Sequence, residues 1–224
     1  PIVGDLDGNA QKILNVAEKA YSNSADIVVT PELSLWGYPA KDLLLKNKYE
    51  GLGTLEFLYQ DNEIFFIEMN TRLQVEHPVT EMVTGIDLVK EQILVATGEE
   101  LKIKQDDVKI NGNSIECRIN AEHPESFIPS PGKITQYHQP GGLGVRVDSA
   151  VYDGYSIPSH YDSMIGKLIT YADNRKECIE RMKRALEEYI IMGINTNIQL
   201  HQKIIMSDEF QSGNYDINFM STFN

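Results

Sequence analysis

Apolar residues recur along this chain at two spacings, and the change from one to the other divides it. In GNAQKILNVAEKAY (8–21), Ile13, Leu14, Ala17 and Ala20 fall three and four apart, which predicts a helix with one apolar stripe. ADIVVTPELSLWGYPAKDLLL then opens with a short apolar run at 27–29, broken by Pro31 and the turn-like Gly37-Tyr38-Pro39. That is a helix followed by a strand, the start of an α/β unit. From about Tyr49, GLGTLEFLYQDNEIFFIEMN predicts a hairpin whose strands flank a three-residue loop, Asp61-Asn62-Glu63. TGIDLVKEQILVATG predicts a helix over 84–98, with Thr84 as N-cap, Asp87 at the third position and Gly98 as the stop. Short strands are predicted at 114–119, 133–137, 144–147 and 165–171, separated by Pro-Gly and Gly-Gly steps. Asn174 should cap a helix whose inner face carries Ile179, Met182, Leu186 and Ile190; Gly193 should end it, and 196–206 should form another. There is no internal repeat and no low-complexity tract. The expected fold class is α+β with mostly antiparallel strands.

The 224 residues, 42% of them hydrophobic, are enough for a packed core. The first residue is Pro1 rather than Met, so the chain reads as a fragment or a processed product. No apolar run approaches the ~18 residues of a membrane span, and no leader pattern opens the chain. A formal net charge of −13 argues against binding nucleic acid through its phosphates, which takes an excess of Lys and Arg. Cys117 and Cys178, the two cysteines, read as packed free thiols in a reducing compartment, which makes the cytoplasm the expected location.

Candidate chemistry concentrates in IEMNTRLQVEHPVTE (67–81). Glu68, Asn70, Arg72, Gln74 and Glu76 occupy alternate positions, and in an extended chain they would share one face. A hairpin closed at 61–63 sets Glu56 opposite Glu68, and two carboxylates so placed repel unless a cation lies between them. Hard oxygen donors with an amide beside them suit Mg²⁺ or Mn²⁺, whose shell water and nucleotide phosphates complete. A solvated acidic sheet face would produce the same two glutamates. Arg72 adds a planar donor fork for a small oxyanion, Gln74 an amide, and Glu76 a carboxylate able to take a proton. His77, held extended by Pro78, reads as a structural hydrogen-bonder. Arg118 alternates with apolar Cys117 and Ile119 on a strand, where a lone arginine usually serves the surface or an ion pair.

GTLEFLY, FIEMNTRLQVEHPVTEMVTGIDLVKEQ, ECRINAEHP, SPGKI, GGLGVRVDS and YDSMIGKLITY together resemble the C-terminal half of biotin carboxylase, an ATP-grasp enzyme, over about residues 49–224. The resemblance implies that Glu56 and Glu68, with Asn70 beside them, hold Mg²⁺ or Mn²⁺ against ATP phosphates. It implies bicarbonate binding by Arg72, Gln74 and the Val75 backbone, and bicarbonate deprotonation by Glu76. Arg118 would stabilise the biotin enolate, while Arg146 and Asp162 would fall at or near a dimer interface. The implied reaction is phosphorylation of bicarbonate by ATP, then carboxyl transfer to biotin borne on a carrier protein. A biotin carboxyl carrier protein, a carboxyltransferase and a second copy of the chain become the expected partners, as in acetyl-CoA carboxylase of fatty acid biosynthesis.

PIVGDLDGNAQKIL, ADIVVTPELSLWGYP and KDLLL instead resemble the nitrilase-like glutaminase segment of glutamine-dependent NAD synthetase, where Glu32 would match the general base. The expected organisation is therefore chimeric: a nitrilase-like α/β segment over 1–45, the C-terminal part of an ATP-grasp domain over 46–110, and a biotin carboxylase C-terminal domain over 111–224. The family's Gly-rich phosphate lid precedes the part matched here, so the chain by itself is expected to be inactive. A glutaminase fragment and a non-catalytic dimerising scaffold are the competing readings; the first requires a nucleophilic cysteine in the proper motif, and neither Cys117 nor Cys178 has that context.

Overall fold

The computed structural model describes residues 5–23 and 49–223. The expected strand at 27–29, the turn at 37–39 and Glu32 lie outside the described residues. The chain divides into two compact units, one of residues 1–77 with 87–103 and one of 78–86 with 104–224. Among the described residues every strand pairing is antiparallel.

In the first unit, helix α1 (Leu6–Ser22) starts at Asp5, whose carboxylate accepts from the Gly8 amide at 3.0 Å. Ile13, Ala17 and Ala20 lie on its less exposed side as the stripe predicts, but Leu14 is exposed. Strands β1 (Thr54–Gln60) and β2 (Glu63–Asn70) form the hairpin. Its turn is the two residues Asp61 and Asn62, both at positive φ (52° and 64°), and not the expected three-residue loop. Asp and Asn tolerate the left-handed region better than most residues, which is why this pair can turn so tightly. The apolar side chains on both faces of this pair, Phe57, Phe65 and Ile67 among them, are exposed.

The single helix expected over 84–98 is two helices. The first, α2 (His77–Thr84), ends at Gly85 (φ +73°), whose amide donates to the Glu81 carbonyl at 2.8 Å. The second, α3 (Leu88–Ala96), has Asp87 as its N-cap and not as a third-position residue, its carboxylate accepting from the Lys90 amide at 2.9 Å. His77 is therefore helical rather than extended, and Pro78 takes a first-turn position where a missing N–H costs nothing.

The second unit is built on a three-stranded sheet of β3 (Asn113–Asn120), β6 (Val145–Ser149) and β8 (Met164–Ala172), in the order β3-β8-β6. The strand expected at 133–137 breaks into β4 (Gly132–Lys133), paired with β7 (Ser156–Ile157), and β5 (Gln136–His138), paired with β9 (Ile190–Met192). Helix α4 (Arg175–Glu188), capped by Asn174, and helix α5 (Ile198–Met206) supply Ile179, Met182, Leu186 and Ile205 to a core shared with Cys117, Ile119, Ile134 and Leu168. Ile190 does not extend the inner face of α4: it lies in β9 and is 39% exposed. Gly193 (φ +96°) follows β9 rather than the helix, and a Cβ there would strike the Lys133 carbonyl. Helix α6 (Asp208–Ser212), capped by Ser207, and a short 3-10 helix (Phe219–Phe223) complete the unit. Both cysteines are free and buried; burial pushes the Cys117 thiol up to about 12, with the Glu116 charge adding to the effect, which removes thiolate chemistry there. No described helix is long and apolar enough to cross a membrane.

Candidate functional site

Glu56 and Glu68 do face each other across the hairpin, but a β-bulge brings them together. The two-residue turn pairs Gln60 with Glu63 and so sets Phe57 opposite Phe66, a register that continued unbroken would place Glu56 opposite Ile67. The ladder shifts between Glu56 and Phe57, leaving Ile67 over as the extra residue and restoring the Glu56–Glu68 pair. One amide then bridges them: Asn70 Nδ2 donates to Glu56 Oε1 at 2.8 Å and to Glu68 Oε1 at 3.0 Å. Asn70 is 6% exposed, so its amide is held firmly beneath the two carboxylates.

The alternating row does not persist. Strand β2 ends at Asn70, and residues 71–76 bend and turn into α2, so only Glu68 and Asn70 share a strand face. Hydrogen bonds do the gathering instead. Gln74 Nε2 reaches Glu56 Oε1 at 2.6 Å, and Arg72 Nη1 donates to Gln74 Oε1 at 2.6 Å and to the Leu73 carbonyl at 3.3 Å. The bend is held from two sides: Tyr49 Oη donates to the Leu52 carbonyl at 2.8 Å and lies 3.4 Å from the Thr71 carbonyl, and His77 Nδ1 sits 2.8 Å from the Gln74 carbonyl. Glu56, Glu68, Asn70, Arg72 and Gln74 are thus one connected cluster of two carboxylates, two amides and a guanidinium. Val75 and Glu76 follow in the turn, with Glu76 exposed. Among the described residues no group of three or more His, Cys, Asp or Glu side chains converges as a metal cage. Two carboxylates side by side match a cation that takes its remaining ligands from water or a phosphate.

Arg118 belongs to the second unit, on edge strand β3, opposite Lys167 of β8, which in turn faces Asp148 of β6. Its side chain is exposed while Cys117 and Ile119 turn into the core, the alternation the strand pattern predicts. Arg146 does not stand free at a surface. Its Nε and Nη2 grip Asp148 at 2.7 and 2.8 Å, and Nη1 donates to Glu81 of α2 at 2.7 Å. Burial would raise the Asp148 pKa, but its hydrogen bonds and proximity to Arg146 and Lys167 hold it below the ordinary carboxylate value. Asp162 accepts from the Met164 amide at 2.8 Å, a local turn contact.

Two side chains missed by sequence reasoning hold the Arg118 backbone. Asn197 Nδ2 and His201 Nε2 lie 3.0 and 2.8 Å from the Arg118 carbonyl. Their four-residue separation on a helix start was visible, but nothing in the sequence tied that helix to β3. Burial lowers the His201 pKa below 6.5; the Arg118 carbonyl and the Glu122 charge oppose the shift without reversing it. The unfolded chain therefore binds more protons there, and this contribution to stability is lost as pH falls from about 6.5 through the lowered folded value. Urea midpoints measured across that window should fall with decreasing pH, and the slope should flatten in His201→Gln.

Residues 116–222 match the biotin carboxylase C-terminal domain, and residues 28–104 match the ATP binding domain of the carbamoyl-phosphate synthase L chain. Biotin carboxylase of Haemophilus influenzae is 59% identical over 172 residues, 77% of this chain and 38% of that protein. The chloroplastic biotin carboxylase 1 of Populus trichocarpa is 48% identical over 206 residues, 91% of this chain and 39% of that protein. Among solved structures, the Hydrogenobacter thermophilus 2-oxoglutarate carboxylase biotin carboxylase domain dimer, in complex with MgADP, ADP and bicarbonate, is similar at a TM-score of 0.77 and 46% identity, covering 80% of this chain and 40% of that one. The chain spans about two fifths of the length of these relatives. None of the similarities supports a nitrilase-like origin for residues 1–45. The ATP binding domain match begins inside that segment, and the 206-residue match is too long to fit within 46–224.

Proposed function

We propose, on the premise that this chain is a partial biotin carboxylase, that its polar cluster is one wall of a site where Mg-ATP, bicarbonate and biotin meet. The observation that carries the reading is the convergence of Glu56 and Glu68 on the single amide of Asn70. Two carboxylates so close repel, and the Asn70 and Gln74 amides that donate to them offset only part of that repulsion, which a bound cation would relieve. Glu56 and Glu68 would hold Mg²⁺ or Mn²⁺, with Asn70 beside them. The ion supplies neutralising charge to the phosphate oxygens of ATP. Arg72, oriented by Gln74 and the Leu73 carbonyl, presents its guanidinium to bicarbonate, with Gln74 and the Val75 backbone beside it. Exposed Glu76 takes the bicarbonate proton onto its carboxylate, and Arg118 stabilises the enolate oxygen of biotin.

The same reading assigns residues 46–110 to the ATP-grasp part and 111–224 to the C-terminal domain. Biotin carried on a carrier protein, a carboxyltransferase and a second copy of the chain follow as partners, with Arg146 and Asp162 near the dimer contact. The test is calorimetric titration of the chain with ADP, once with Mg²⁺ and once with EDTA. Affinity at least about fivefold higher with Mg²⁺ is expected, since the glutamates recruit phosphates only through the ion. Equal affinity in the two titrations would remove the reading.

A further inference from the structure

Strand β3 is the edge of its sheet, and its ladder to β8 shifts register between Ile119 and Asn120, one residue beyond Arg118. Arg118 keeps Lys167 as its ladder partner, but among the described residues no strand covers the outer edge of β3, and an open edge next to a register shift is a poor platform for a side chain that must point in one direction. The start of α5 repairs this. Asn197 is 5% exposed, and its side-chain amide works as the peptide of a neighbouring strand would. Its Nδ2 donates to the Arg118 carbonyl at 3.0 Å, and its Oδ1 accepts from the Asn120 amide at 2.9 Å. The Asn197 backbone amide then donates to the Asn120 carbonyl at 3.2 Å. One turn along, on the same helix face, His201 Nε2 takes the second lone pair of the Arg118 carbonyl at 2.8 Å. That contact requires the proton on Nε2, which the neutral ring supplies in one tautomer.

We infer that Asn197 and His201 are positioning residues for Arg118, fixing the backbone from which its guanidinium is aimed at biotin. Neither touches the reacting groups. The inference rests on the role proposed for Arg118, but the positioning itself is a property of this unit and can be read without biotin. Each donor is replaceable separately. Asn197→Asp keeps the acceptor for the Asn120 amide and loses the donor to Arg118. His201→Gln keeps an N–H donor of similar reach, and His201→Leu removes it.

The experiment is NMR of the Arg118 Nε–Hε group in the 224-residue chain, assigned by its loss in Arg118→Lys, with free biotin as titrant. Backbone amide spectra and thermal unfolding of each variant establish that the unit stays folded. A shifted or broadened Arg118 signal is expected in Asn197→Asp and His201→Leu, and near-normal behaviour in His201→Gln. The biotin-induced shift should need about three- to tenfold more biotin in the first two, the range expected for one lost hydrogen bond. An Arg118 signal unchanged in both, or no rescue by glutamine, overturns the positioning. A biotin response that survives Arg118→Lys instead removes the enolate role of Arg118 and leaves the positioning to be judged by the guanidinium signal.

Discussion

Replacing Glu56 and Glu68 together with glutamine is expected to abolish Mn²⁺ binding, measured by paramagnetic relaxation of water protons. The bulge in β2 and the Asn70 amide bring two negative charges onto one spot of the hairpin. Glutamine preserves size and hydrogen bonding, so the hairpin and the contacts of Asn70 and Gln74 can persist in neutral form. What disappears is the field that draws a divalent cation out of water. Each single variant keeps one carboxylate and should bind more weakly without losing the site. Mn²⁺ relaxation unaltered in the double variant would take the metal away from these residues, whatever the similarity to enzymes that use one.

Leu168→Ala should cost the second unit about 3 kcal/mol, near the middle of the range for truncating a buried leucine. Leu168 is fully buried in the central strand of the sheet, flanked by Cys117 on β3 and Val147 on β6. It belongs to the core that α4 closes with Met182 and Leu186. Neighbours fixed by two ladders cannot collapse into the space, so the cavity adds to the lost transfer free energy. Thermal unfolding should shift down by about 10 °C, and amides of β8 should lose a corresponding amount of hydrogen-exchange protection. A loss under about 1 kcal/mol would mean that this sheet is not the stabilising centre of the unit.

Much of the local structure was legible. The alternation in β3 and β8, the three- and four-residue spacing in α4, and the Asn174 cap all follow from residues that touch one another across a single element or a single turn. The candidate chemistry was legible in the same way, as an unusual density of carboxylate, amide and guanidinium groups. Several departures share one physical character: a local pattern runs on in the sequence past the point where a tertiary contact ends it. The polar row assumes that β2 continues to Glu76, but the chain bends after Asn70, and the bend is held by Tyr49, far away in sequence. Thr84 followed by Asp87 looks like a cap, but the helix over 77–84 occupies Thr84 and leaves Asp87 to start the next one. Ile190 continues a helical stripe on paper, yet the chain leaves the helix at Tyr189 to pair with β5.

The sequence by itself determined the inventory and its kind: which segments are amphipathic, that the chain is acidic, and that metal-type and oxyanion-type donors crowd into residues 56–76. These depend on composition and on neighbours a few residues apart, and no folding is needed to read them. Only the tertiary structure decided which of those groups meet. Glu56 faces Glu68 because a tight Asp-Asn turn is corrected by a bulge at Ile67, two irregularities that cancel and leave no periodic trace. Arg118 is steadied by Asn197 and His201, roughly eighty residues away along the chain. Pairings of that kind are set by which strand edge is left open and which helix start arrives to close it, and that is a property of the packed unit.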